Sequence, residues 1–91
     1  MKSILQDKKE CFVTGVTEGL HKHHCMNGPL RSKSEKYGLY IYLTPAYHNM
    51  SNKGIHFDQE FDLRVKRYAQ KKFEELYSHE LWMKEFHKNY L

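Results

Sequence analysis

Leu39-Tyr40-Ile41-Tyr42-Leu43, followed at once by Thr44-Pro45, limits the folds open to this chain more than any other stretch. The five residues are aromatic, β-branched or aliphatic throughout, which makes them the clearest strand in the sequence. Proline cannot donate to a sheet ladder, and its fixed φ suits the first turn of a helix. Thr44 before it is a helix-capping residue. The strand therefore ends at Leu43, and the expectation is a short helix from about Pro45 to Met50.

Upstream, Leu20-His21-Lys22-His23-His24 alternates over a few residues and reads as a short strand leading into a turn at Asn27-Gly28-Pro29. Residues 28–38 hold Gly28, Arg31, Lys33, Lys36 and Gly38 and read as a basic loop. Cys11-Phe12-Val13-Thr14-Gly15 is an apolar piece closed by a turn residue, and residues 1–10 read as a flexible or loosely docked lead-in without chemistry. Downstream, residues 51–57 turn through Asn52-Lys53-Gly54 and leave His56 between Ile55 and Phe57. From Asp58 the residues Phe61, Val65, Tyr68, Ala69, Phe73, Leu76 and Tyr77 recur at helical spacing, with Asp58, Glu60 and Asp62 near the positive end of the helix dipole. Ser78 interrupts or recaps that helix, and Leu81, Trp82 and Phe86 make a second apolar stripe.

The whole reads as one α+β domain over residues 1–91, since 91 residues leave no room for a second core. No apolar run approaches the roughly 20 residues of a membrane span, and Met1 to Asp7 meets charge too soon for a signal peptide. The expectation is a soluble, cytoplasmic protein without membrane contact, with Cys11 and Cys25 reduced.

Function points to the middle of the chain. Five of the seven histidines fall in residues 20–56, less than half the sequence. Residues 1–57 hold eight Lys/Arg against four Asp/Glu, whereas residues 58–91 hold seven of each, so the excess positive charge accompanies the histidines. Histidine is the commonest metal ligand and the side chain best suited to proton transfer near neutral pH. Together with the basic charge, this favours an anionic partner, with phosphate first among them.

Strand with tandem histidines, basic segment, apolar strand and histidine-bearing helix succeed one another. In that order, Cys11-Phe12-Val13-Thr14-Gly15, His23-His24 and Leu43-Thr44-Pro45-Ala46-Tyr47-His48-Asn49 resemble the HNH endonuclease family over roughly residues 11–57. The resemblance implies a ββα-metal (His-Me finger) core of a short β-hairpin and helix, with residues 58–91 adding a long helix and a short final one. It also implies a small stand-alone protein of bacteriophage type, acting in the host cytoplasm. By the same resemblance His23 is a metal ligand, His24 the general base and His48 a second ligand. The third ligand stays open between Asn52, one helical turn after His48, and His56, which must fold back; ligand chemistry favours His56.

The chemistry suits the assignment. Adjacent strand residues point to opposite faces, so one histidine can meet a metal while the other aims at a water. Phosphodiester hydrolysis needs a deprotonated water and a cation to neutralise the scissile phosphate and leaving oxygen. Arg31, Lys33 and Lys36 are candidates for holding flanking phosphates, Arg31 first by type. The expected cofactor is one divalent ion, Mg²⁺ or Mn²⁺, with Zn²⁺ or Ni²⁺ as alternatives. The expected substrate is double-stranded DNA, nicked or cut.

Two departures from the family pattern matter. Where many HNH proteins hold a structural zinc on four cysteines, this chain has Cys11, Thr14, Thr44 and Tyr47. No such zinc is expected, and packing by Phe12, Tyr47 and the long helix takes its place. The motif's middle asparagine is replaced by the Tyr37-Gly38-Leu39-Tyr40 region, so another group, such as a backbone carbonyl, must orient His24. Plainer readings accompany these. His21 faces solvent or phosphate, Cys25 is a small buried residue, Lys66-Arg67 and Lys71-Lys72 are a solvated helix face, and Phe61, Tyr68, Phe73 and Tyr77 are core. Tyr40 and Tyr42 share a strand face and pack. Two rival functions remain, a catalytically inactive HNH-like module that binds nucleic acid or protein, and a purely structural histidine–metal site.

Overall fold

The computed structural model describes residues 2–51 and 54–91. Strand β1 (His21–His24) pairs antiparallel with β2 (Tyr40–Leu43), in the register His21 to Leu43, Lys22 to Tyr42, His23 to Ile41 and His24 to Tyr40. Around this hairpin the chain forms α1 (Arg31–Lys36), α2 (Pro45–His48), α3 (Gln59–Leu76) and α4 (His79–Phe86), with short 3-10 turns at Gly28–Leu30 and Ile55–Phe57. The α+β class holds. Among the described residues no helix is long and apolar enough to cross a membrane.

Residues directly opposite in an antiparallel pair share a face. One face of the hairpin therefore carries Ile41 and Leu43, both fully buried, together with His21 and His23. The other carries Lys22, His24, Tyr40 and Tyr42. The inner face meets a core built on Leu39, Val65, Ala69, Phe73, Trp82 and Phe86. Phe73 stands edge-on to Trp82 at 5.4 Å and to Tyr37 at 5.1 Å. Trp82 satisfies its indole N–H on the Lys88 carbonyl at 2.8 Å, as a buried Trp requires.

The two C-terminal helices start as their sequences predict. The Asp58 carboxylate accepts from the Phe61 N–H at 3.0 Å, and the Ser78 hydroxyl accepts from the Leu81 N–H at 3.0 Å. Fully buried Gln70 ties down the tail, donating to Asn89 and accepting from the Tyr90 N–H. The apolar stripe of α3 fades toward its end, where Leu76 is 61% exposed and Tyr77 43% exposed. Tyr77 nevertheless keeps ring contacts with Tyr37 and Phe73.

Two segments differ from expectation. The basic loop is largely helical: α1 occupies Arg31–Lys36, and Ser34 is its inward anchor, donating to the Leu39 carbonyl and accepting from the Met26 N–H. Arg-Ser-Lys-Ser-Glu-Lys has no apolar periodicity, so a helix pinned by one buried serine leaves no hydrophobic signal. The lead-in is docked. Ser3 donates to the Tyr40 carbonyl at 2.6 Å, Gln6 accepts from the Tyr42 N–H at 2.8 Å, and Leu5 is buried. The Ile4 N–H reaches the Gly38 carbonyl at 2.9 Å.

That docking requires a glycine. Gly38 has φ +70, and a Cβ there would stand 2.3 Å from the Lys2 carbonyl oxygen, whereas Gly19 at φ +65 has nothing within 4 Å. Gly38→Ala is expected to lower unfolding free energy by about 1–3 kcal/mol for the backbone conformation, plus the cost of displacing the Lys2 backbone. Gly19→Ala incurs only the first cost, so urea denaturation should find Gly38→Ala clearly the less stable of the two.

Candidate metal centre

His23 takes its place from strand alternation. It lies opposite Ile41 on the inner face and is only 4% exposed, yet its Nε2 has no hydrogen-bond partner. Such an atom is costly to bury unless something else satisfies it. Burial, reinforced by the positive charge that His48 and His56 carry when protonated, pushes its pKa from an ordinary 6.5 down to about 3. The ring is therefore a neutral base with a lone pair to offer.

His48 arrives from the helix that Thr44-Pro45 starts, its N–H bonded to the Thr44 carbonyl at 3.0 Å. Its ring lies 5.3 Å from that of His23, and burial, then His56 and His21, hold its pKa below the usual value. His56 comes back to this point through Gly54. A Cβ on Gly54 would lie 2.8 Å from the His48 carbonyl oxygen, so the missing side chain is what lets the loop close against α2. Buried Ile55 then seats the 3-10 turn that carries His56. The His56 and His48 rings are 4.7 Å apart, with their Nε2 atoms at 3.0 Å.

Ligand nitrogens of His23, His48 and His56 all lie within 4.8 Å of one another, close enough to bind one metal ion. Two imidazole nitrogens each about 2.0–2.1 Å from a common ion stand roughly 3 Å apart, which is the His48–His56 spacing. The orphaned Nε2 of His23 makes the residues present a fit for such an ion. Asn52, the other candidate ligand, lies outside the described residues.

His24 points to the other face of β1. Its side chain is mostly covered, with Nε2 3.6 Å from Glu35 Oε1 and the ring 6.0 Å from that of Tyr40. Glu35 is itself fixed by Lys22 at 2.7 Å. Burial lowers the His24 pKa and the Glu35 charge partly offsets it, so the ring is neutral at pH 7. Sequence reasoning misses Glu35 because it stands alone among the basic residues of α1. His21, expected toward solvent or phosphate, instead packs on the ligand cluster, its Nδ1 3.0 Å from His48 Nδ1.

The candidate phosphate binders are divided. Arg31 lines a cleft of ≈ 190 Å³ together with Lys22, His23, His24, Asn27, His48 and His56. Lys33 is turned to α4, 3.0 Å from Glu85 Oε2, and Lys36 stands over the Tyr37 ring at 5.2 Å. At the other end of the hairpin, Cys11 is 2% exposed with Sγ 3.9 Å from Thr44 Oγ1. Its burial raises the thiol pKa, but the Thr14 hydroxyl and the N–H groups of Thr14, Thr44 and Val13 more than offset this and bring it down to about 7. Phe12 packs on Tyr68 at 5.8 Å while remaining 37% exposed. Cys25 is a buried free thiol.

No protein-family model matches this chain, and neither a curated protein nor a solved structure does.

Because His23 is buried as the neutral base, the unfolded chain binds the extra proton between the ordinary pKa of 6.5 and the folded value of about 3. Stability of the metal-free protein is thus full above the first value and falls steadily as pH drops through that window. Chemical denaturation in EDTA at intervals from about pH 8 to pH 4.5 should show this decline, and His23→Gln should make it shallower.

Proposed function

We propose that this chain is a metal-dependent DNA endonuclease of HNH type, in which His23, His48 and His56 hold one divalent ion and His24 is the general base. One observation carries the reading: a single cleft is lined by all three candidate ligands, by His24 and by Arg31, with the ligand His23 and the base His24 on successive residues of one strand. When bound, a divalent cation there supplies Lewis-acid neutralisation of the scissile phosphate and the leaving oxygen. His24, neutral at pH 7, takes the proton of the attacking water at a ring nitrogen. The Glu35 carboxylate then stabilises the imidazolium that forms, the part played by the acidic partner of a histidine base. Arg31 forms no ion pair among the described residues and is placed to clamp a phosphate by two parallel N–H bonds. Three imidazoles favour Co²⁺, Ni²⁺ or Zn²⁺ over Mg²⁺ and Mn²⁺, which prefer oxygen ligands, so the order of metals expected from sequence is reversed in this proposal.

A polyanionic substrate is further supported by a second groove, ≈ 360 Å³, lined by Lys2, Lys8, Lys9, Tyr40 and Tyr42 among others. Tyr40 and Tyr42 share the outer hairpin face with His24. Among the described residues these three lysines form no ion pairs, so a phosphate backbone leaving His24 along that face would meet unneutralised ammonium groups.

Nicking of supercoiled plasmid across this metal series tests the proposal. The wild type should cleave best with a transition metal, and His24→Ala should be about 10²- to 10⁴-fold slower while binding metal as before. Equal activity of the two proteins with every metal would sink the enzymatic reading. Independently, replacing Lys8 and Lys9 by Ala should weaken DNA binding measured in EDTA. The slope of log K against log salt should flatten by about 0.9 for each phosphate that is no longer neutralised.

A further inference from the structure

We infer that His21 is a positioning residue of the metal centre: its Nδ1 accepts the Nδ1–H of His48 and so leaves the His48 Nε2 lone pair facing the ion. This rests on the metal reading above. His48 is engaged at both ring nitrogens, Nδ1 lying 3.0 Å from His21 Nδ1 and Nε2 lying 3.0 Å from His56 Nε2. A neutral imidazole has one N–H and one lone pair, and where two ring nitrogens face each other one must donate and the other accept. The chain His21–His48–His56 consequently has two proton arrangements. In one, His21 donates to His48, and His48 donates onward from Nε2 to His56, which leaves His48 without a lone pair for a metal. In the other, His56 donates from Nε2 to His48, and His48 donates from Nδ1 to His21, so His48 Nε2 carries a lone pair.

Only the second arrangement leaves a lone pair on His48 Nε2, and an ion shared by His23, His48 and His56 then takes the place of the His56 Nε2 proton, which passes to His56 Nδ1. Binding such an ion therefore moves the His48 proton to Nδ1 and makes His21 an acceptor there, with its own proton on Nε2. The fold presents His21 for this task without a special device. The two-residue period that turns His23 inward turns His21 inward as well, opposite Leu43 and beside the helix that begins two residues later. The His21 ring meets His48 edge-on at 5.1 Å, closely matching the 5.3 Å from His23. A hydrogen bond to the non-ligating nitrogen fixes the tautomer and orientation of a metal-bound histidine, and removing such a partner typically weakens metal binding about 10- to 100-fold.

The test uses the full chain with Zn²⁺ alone, which is diamagnetic. Titration calorimetry should find Zn²⁺ binding weakened about 10- to 100-fold in His21→Phe, which keeps a ring but no acceptor. Binding should be largely recovered in His21→Asn, whose amide oxygen occupies nearly the place of Nδ1. Ring nitrogen NMR of the Zn²⁺-loaded wild type should show the metal on His48 Nε2 and a coupling across the hydrogen bond from His48 Nδ1–H to His21 Nδ1, a signature that a merely space-filling His21 would not produce. Equal affinity of wild type and His21→Phe, failure of Asn to improve on Phe, or a His48 proton on Nε2 would each overturn the inference. A wild type that takes up no Zn²⁺, Co²⁺ or Ni²⁺ would overturn the metal reading itself and this inference with it. Should His21→Phe not fold, the Asn variant and the wild-type spectra decide.

Discussion

The pairing of β1 with β2, in one register, is the constraint from which the rest follows. With His23 opposite Ile41, the inner face must accept histidines at the border of an apolar core, and the outer face must carry Lys22 and His24. A slip by one residue would exchange the faces, burying Lys22 and His24 and expelling both inner histidines to solvent. That exchange is costly, since it would set the Lys22 ammonium against the fully buried Ile41 and Leu43. The register that protects the core therefore also separates the candidate ligand from the candidate base, and a single set of backbone hydrogen bonds serves stability and site geometry together.

Around the hairpin, each further candidate ligand is delivered by a local rule. Pro45 starts the helix that brings His48, and Gly54 removes the one atom that would keep His56 away. Neither position supplies a ligand atom of its own. Substitutions there act on the centre through backbone placement, whereas substitutions at His21 or Glu35 act through a hydrogen bond or a charge.

Much of this is legible in the residues. The strand over 40–43 and the helix start at Pro45 rest on strong local chemistry, and α3 and α4 rest on spacing and on the side-chain caps Asp58 and Ser78. The histidine count and spacing point to a shared site, and the structure brings His23, His48 and His56 together. What escapes a sequence reading are contacts set by tertiary placement. α1 has no apolar stripe because one buried Ser34 anchors it. Glu35 and His21 look like isolated polar residues until the chain folds, after which one stands beside His24 and the other against His48. The mostly polar N-terminal residues likewise give little signal for docking, because backbone and amide hydrogen bonds leave no pattern and the two apolar residues that reach the core, Ile4 and Leu5, are too few to set a period.

The docked N-terminal segment also governs how copies of the molecule behave toward one another. A two-stranded sheet leaves backbone groups open on each outer edge, and an open edge is a template for another chain. Here the outer edge of β2 is occupied: Ser3 and Phe12 cover the carbonyls of Tyr40 and Tyr42, and Gln6 covers the Tyr42 N–H. Ser3 and Gln6 supply most of this cover over a sticky strand, so shortening the chain ahead of Cys11 would uncover the Tyr40 carbonyl and the Tyr42 N–H and would be felt first as reduced solubility.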